Sequence, residues 1–224
     1  MKHTGQHGVS TLEFAFGSLV LVPLTLGMIA IGTNMIRTQQ TVQLARDAGH
    51  MYARGIDFSA TGNRSLLAKL GANLGLSTNA GTSTAVVILS TLVYVDKNMC
   101  AAAGAVNGSG NPSAACTNFG QWVFTQRLVV GKSSIRGSNY GSPVIGGPTG
   151  VAIDPTTGKI PTIDSVKKPG AVARFNGVHP YSVTDGVAKG LPSGQSLYLA
   201  EASALGFNLA PFISNAATYS WGWF

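Results

Sequence analysis

Between Phe14 and Ile36 the chain runs for 23 residues without a charge, FAFGSLVLVPLTLGMIAIGTNMI. As a helix rising about 1.5 Å per residue, that stretch covers the ~30 Å hydrocarbon core of a bilayer. A cleaved secretory signal has a shorter apolar core, roughly 7–15 residues, and small residues before a cut on its far side. Here the far side reads Asn34-Met35-Ile36-Arg37-Thr38-Gln39-Gln40, with no A-x-A. The stretch therefore reads as a retained membrane-spanning helix, with membrane lipid as its first partner. Pro23 is tolerated in a bilayer, where it kinks a helix. Gly17, Gly27 and Gly32 either leave narrow surfaces for a second helix or are simply tolerated.

Charge is scarce elsewhere too, at 10% of 224 residues against roughly 25% in an average soluble domain. The 15 Lys+Arg and 8 Asp+Glu leave +7, but the bases are strung along the chain and only Lys167-Lys168 are adjacent. A nucleic-acid surface concentrates its bases into a patch or stripe, so no nucleic-acid partner is expected. Catalytic signatures are missing as well. Gly131-Lys132-Ser133 resembles the end of a P-loop, but Gln126 stands where its first Gly belongs. There is no G-x-S-x-G elbow, no H-E-x-x-H and no Cys-His spacing for zinc around His50 or His179. No enzyme, metal or cofactor is expected. The acids show no paired motif, and Glu201 is expected to point from its strand to solvent or to a neighbouring subunit.

The helical period continues past the apolar run. Val42, Ala45, Ala48 or Gly49, Tyr52 and Ile56 recur every three or four residues, which predicts a stem helix reaching about Arg54, with Gly49 leaving a break open. A second helix is predicted over 64–74, capped by Asn63, with Leu66, Leu67, Leu70 and Leu74 on one face. Residues 84–95 are β-branched and apolar on both faces, as in a covered strand. Residues 121–130 alternate, with Trp122, Phe124, Leu128 and Val130 facing one way, and 196–209 supply a third run. This order is α+β: a long N-terminal membrane-spanning helix carrying a head of one helix and an antiparallel sheet. Residues 131–195, with 12 Gly and 7 of the 10 Pro, read as a loop-rich surface insertion with short strands of its own. The aromatic end, Tyr219 to Phe224, reads as the last core-packing residues rather than a docking strand.

Cys100 and Cys116 bracket a low-complexity loop that contains Asn111-Pro112. Closing a loop of that size stabilises by about 3 kcal/mol on a chain-entropy argument. Beside a membrane anchor the pair is expected as a disulfide in an oxidising, extracytoplasmic compartment.

Glu13, one of two Glu in the chain, stands at the entrance of the apolar run. Ser10-Thr11-Leu12-Glu13 fits a capping box, which accounts for it structurally. A second reading takes in Gly8-Val9: a cut between them would place an α-amine at Val9 and a carboxylate five residues into the new chain. Near lipid each charge is costly alone and tolerable as a pair. That arrangement resembles the class III signal of type IV pilins, with residues 1–8 as a short leader. The Glu13-Phe14 pair looks most like the Tad/Flp branch. With Ala45-Arg46-Asp47-Ala48-Gly49 after the span, and Leu197-Tyr198-Leu199-Ala200-Glu201-Ala202 near the end, the chain resembles the TadE-like minor pseudopilins. Residues 131–195 depart from the short family core.

The resemblance implies a leader over 1–8, a helix and stem over 9–60 with the span at 14–36, and an extracytoplasmic head over 61–224. It implies single-pass residence in a bacterial inner membrane, cleavage after Gly8 by a prepilin peptidase, and incorporation into a pilus. It also implies a Tad assembly platform and ATPase, and other pilin or pseudopilin subunits, as partners. Flanking charge does not enforce this orientation, since Lys2 lies on one side and Arg37 and Arg46 on the other. The alternative is an uncleaved, single-pass binding or adhesion protein.

Overall fold

A computed structural model describes residues 7–175, 182–184, 187–189, 193–206 and 217–224, with side chains over 12–175, 193–206 and 217–224. His179, Asp185 and residues 207–209 of the third predicted strand lie outside the described residues, as does most of the leader.

Helix α1 (His7–Ala53) runs unbroken for 47 residues, about 70 Å at the usual helical rise, through Pro23 and Gly49. Its N-terminal part is largely exposed: Phe14, Phe16, Leu19, Met28, Ile31 and Met35 are all more than 60% exposed, while Ala30 is buried. The hydroxyls of Ser18, Thr25 and Thr33 donate to carbonyls three or four residues back, which satisfies them without water. Below Ile36 the helix joins the head. Arg37 Nη1 donates to Leu205 O at 2.6 Å, and the Thr41 and Thr218 hydroxyls lie 2.8 Å apart.

The head is built on a four-stranded antiparallel sheet of order β2-β1-β5-β6. The strands are β1 (Ala85–Tyr94), β2 (Trp122–Gly131), β5 (Ser196–Leu205) and β6 (Ala217–Trp223), with a separate pair of β3 (Ser182–Thr184) and β4 (Val187–Lys189). The central strand β1 has nine of its ten residues buried, as its two-sided apolar sequence requires. One face carries Val87, Leu89, Leu128, Ala200 and Ala202 against Leu44, Ala45, Ala48 and Tyr52 of α1 and Leu67 of α2 (Thr61–Leu70). The other carries Leu92, Phe124 and Leu199 against the disulfide and against Val151, Ile160, Val166 and Ala171. The described residues 131–175 of the insertion therefore do more than decorate the surface. They form the third layer, with Asp164, Ser165 and Val166 of α4 (Thr162–Lys167) buried in it.

Several expectations change. The helix is already running at Ser10, so Ser10 is not at a cap position. Helix α2 begins three residues before Arg64 and ends at Gly71; Asn63 lies inside it and donates instead to Asp57 O at 2.7 Å. Leu67 and Leu74 are buried, but Leu66 and Leu70 are 45% and 48% exposed. In β2, Phe124 pairs with Leu92 and Gln126 with Thr91, leaving Thr125 as an extra residue. This bulge inverts the alternation, so Trp122 and Phe124 join one core and Leu128 and Val130 the other. The aromatic end is not merely core: it forms β6, an edge strand with Trp221 and Trp223 at 44% and 40% exposure.

Candidate functional site

Two regions concentrate the residues that call for explanation. The first is the exposed N-terminal part of α1. Gly8 and Val9 are in helical backbone, while Glu13 and Phe14 are exposed at the start of the apolar face, Phe14 at 79%. Exposed apolar side chains occur around the helix from Leu12 to Ile36, Ala30 being the one apolar residue of this stretch that is fully buried among those described. Within the described residues α1 is the one helix long and apolar enough to cross a membrane. A helix that is apolar all round must be covered by lipid or protein. The N-terminal half is long and apolar enough to anchor the chain in a membrane.

The second region centres on Glu201, placed by β5 on the sheet face opposite α1. It is 1% exposed, so the expectation that it points to solvent or a neighbour is wrong. Its strand has buried neighbours on both faces, and alternation therefore could not tell in from out. Glu201 Oε1 accepts from Tyr219 Oη at 2.6 Å and from Asn139 N at 3.1 Å. Its Oε2 and the Nε of Arg136 are buried without a hydrogen-bond partner among the described atoms. Both line a narrow cleft with Val86, Ile88, Ser203 and Tyr219. The Arg136 guanidinium lies 4.1 Å from the centre of the Tyr219 ring, and its Nη2 donates to Asn139 Oδ1.

Arg127 completes the charge set. Its Nη1 donates to Gly141 O at 2.9 Å and to Ser90 Oγ at 3.3 Å. Burial lowers its pKa, and the Glu201 charge opposes that shift. Burial pushes the Tyr140 hydroxyl up to about 12, with Glu201 adding to it. Tyr219 is also raised, by burial first and then by the hydrogen bond to Glu201. Both phenols stay neutral at physiological pH; Tyr219 donates to Glu201, and Tyr140 packs as a ring against Phe175, Trp221 and Trp223. The arrangement is an internal polar clamp that holds residues 136–142 on the sheet.

Cys100, at 0% exposure, and Cys116, at 4%, form a disulfide with Cα atoms 5.7 Å apart. Cys100 is presented by α3 (Lys97–Ala102), whose N-cap is Asp96, accepting from Met99 N at 2.9 Å. His50 is exposed on α1, where it meets the Phe224 ring edge-on at 4.6 Å and lines an open groove with Asp47, Met51, Arg54 and Leu70. Among the described residues no three His, Cys, Asp or Glu gather as a metal site. Sequence reasoning missed the Glu201 clamp, although one signal was available: a lone Glu inside an otherwise uncharged strand needs internal partners.

No protein-family model, curated protein or solved structure matches this chain.

Proposed function

We propose that the chain is a minor pseudopilin-like membrane protein of the TadE type, acting in assembly of Tad/Flp-type pili. In this reading a prepilin peptidase cuts after Gly8, and the helix then anchors the subunit in a bacterial inner membrane with the head outside. Glu13 pairs with the Val9 amine, its own or a neighbour's, and Phe14 begins the apolar surface handed from lipid to neighbouring pilin subunits. A Tad platform and ATPase drive the transfer.

One observation carries this reading: the Gly8-to-Glu13 spacing stands at the threshold of a largely exposed apolar helix, continuous with a stem packed on the head. The Cys100–Cys116 disulfide supports an oxidising compartment for the head. N-terminal mass spectrometry of membrane and sheared-filament fractions, with and without prepilin peptidase, tests it. The expected mature chain begins at Val9 only when the peptidase is present. Glu13→Ala is expected to be cut normally yet depleted from filaments. Residues 1–8 retained in both backgrounds would establish the uncleaved anchored protein instead.

A further inference from the structure

The two edges of the sheet are treated differently. At β2 the insertion supplies partners: Ile160 N donates to Thr125 O, Arg127 N to Gly158 O and Ala173 N to Trp122 O, each at 2.8–2.9 Å. At β6 nothing comparable occurs among the described residues. The 198–224 pair exchanges both backbone bonds, Phe224 N to Tyr198 O and Tyr198 N to Phe224 O. Antiparallel pairs alternate between bonded and non-bonded, so Thr218, Ser220 and Gly222 bond to β5. Tyr219, Trp221 and Trp223 aim their N–H and C=O groups outward.

Edges left open are usually blunted by charge, proline or a bulge. The sequence ATYSWGW has no charged residue and no proline, and β6 pairs with β5 without a register shift. Its exposed indoles are held from behind: Trp221 and Trp223 lie 4.8 Å apart, Trp221 5.6 Å from Tyr140 and Trp223 4.9 Å from Phe175. Such braced aromatics are the side chains that dominate protein interfaces.

We propose that the outer edge of β6 is a docking site for an extended, uncharged segment of another protein chain, added main chain to main chain beside Tyr219, Trp221 and Trp223. Strand addition draws affinity from the backbone and specificity from alternate side chains. On one face the added strand lies along the indoles, which selects apolar residues at every second position. On the other face it lies beside α1, which follows β6 from Thr41 to Gly49.

A second copy joined antiparallel through the same edge does not fit. Thr41 meets Thr218 and Gly49 meets Phe224, so α1 and β6 run side by side in one direction. Antiparallel pairing of two β6 edges would send the two apolar helices to opposite ends, which one membrane cannot hold. That exclusion rests on α1 spanning a membrane; the docking itself does not depend on cleavage after Gly8.

The test uses the full chain in detergent and, as probe, an uncharged ten-residue peptide alternating threonine with valine and tyrosine. Amide hydrogen exchange is read by NMR. The expected result is about ten-fold slower exchange at Tyr219, Trp221 and Trp223 with saturating peptide, while Ser220 and Gly222 stay protected throughout. Trp221→Pro removes an N–H that β5 does not use and abolishes the effect. If that variant misfolds, Trp221→Lys, which keeps the N–H and adds an edge charge, weakens it. Unchanged exchange, equal slowing in both variants, or equal slowing by a peptide N-methylated at alternate amides would overturn the proposal. So would a dimer of the full chain that Trp221→Pro dissociates, since the occupant would then be a second copy.

Discussion

Glu201 accepts two hydrogen bonds through one oxygen and is surrounded by Tyr219, Arg136 and, more distantly, Arg127. Removing the carboxylate leaves the Tyr219 hydroxyl and the Asn139 N–H without their acceptor, at about 1–3 kcal/mol for each buried donor. Glu201→Ala is therefore expected to lower unfolding free energy by about 3 kcal/mol. Glu201→Gln keeps an acceptor for Tyr219 and Asn139 and is expected to cost about 1 kcal/mol. Urea unfolding followed by tryptophan fluorescence checks both; equal losses would mean that the acceptor contributes nothing. Asp164 behaves differently. Its carboxylate accepts from Ala152 N at 2.8 Å and from Lys168 Nζ at 3.0 Å, and these bonds hold its pKa below the ordinary value, the backbone bond contributing most. A depressed folded pKa gives stability that is complete above the unfolded value of about 3.9 and is lost as pH falls through the folded one. Asp164→Asn is thus expected to be less stable than the parent at pH 7, with the gap narrowing below about pH 4. Unfolding midpoints measured across that range decide it; a constant gap would assign the loss to packing.

At the scale of elements, the close approach of α1 to the sheet's end is set by a missing side chain. A Cβ at Gly49 would fall inside the Phe224 ring, which packs against the helix there while its backbone pairs with Tyr198. Gly49→Ala gains about 1 kcal/mol of helix propensity but displaces a half-buried ring worth a similar amount. The single substitution is therefore expected to be near neutral. In a Phe224→Ala background it becomes stabilising by about 1 kcal/mol, a coupling that a double-mutant cycle measures. Additive effects would show that the ring does not rest on Gly49. Elements with one strong pattern were legible in the residues: β1 from its two-sided apolar run, and α1 from its sustained period. Those shaped by one exceptional residue were not. Thr125 reverses the faces of β2 without altering the local composition. Strand β6 does alternate, Tyr219, Trp221 and Trp223 with Thr218, Ser220 and Gly222. Its half exposure and its place at the sheet edge are set by the pairing with β5 and carry no local signal.

Across the whole molecule, the boundary between anchor and head falls inside one helix. Leu44, Ala45, Ala48 and Tyr52 are each under 5% exposed and form the layer that covers one face of the sheet. The Tyr52 hydroxyl adds bonds to Thr91 at 2.7 Å and Gln126 at 2.9 Å, and burial raises its pKa to about 12. The opposite layer draws on the described residues 131–175, where isolated apolar positions such as Val151 and Ile160 sit among Gly and Pro and carry no periodic signal. Both layers are needed, because an uncovered face of Val87, Leu89 and Ala202 would be apolar and exposed. Burying one large apolar side chain stabilises by about 1.5–3 kcal/mol, so losing the α1 layer removes roughly 5 kcal/mol or more. That equals the whole stability of many domains, about 5–15 kcal/mol. A chain beginning at Arg37 is therefore expected to fold as a soluble head with a cooperative thermal transition, whereas one beginning at Asp57 aggregates or melts without cooperativity. Circular dichroism and size-exclusion chromatography of the two chains distinguish these outcomes. A cooperative transition in the shorter chain would separate stem from head, and any pull on the membrane helix would then reach the sheet only through a flexible joint. If the stem is part of the core, the same pull acts directly on the packed sheet and on the edge formed by β6.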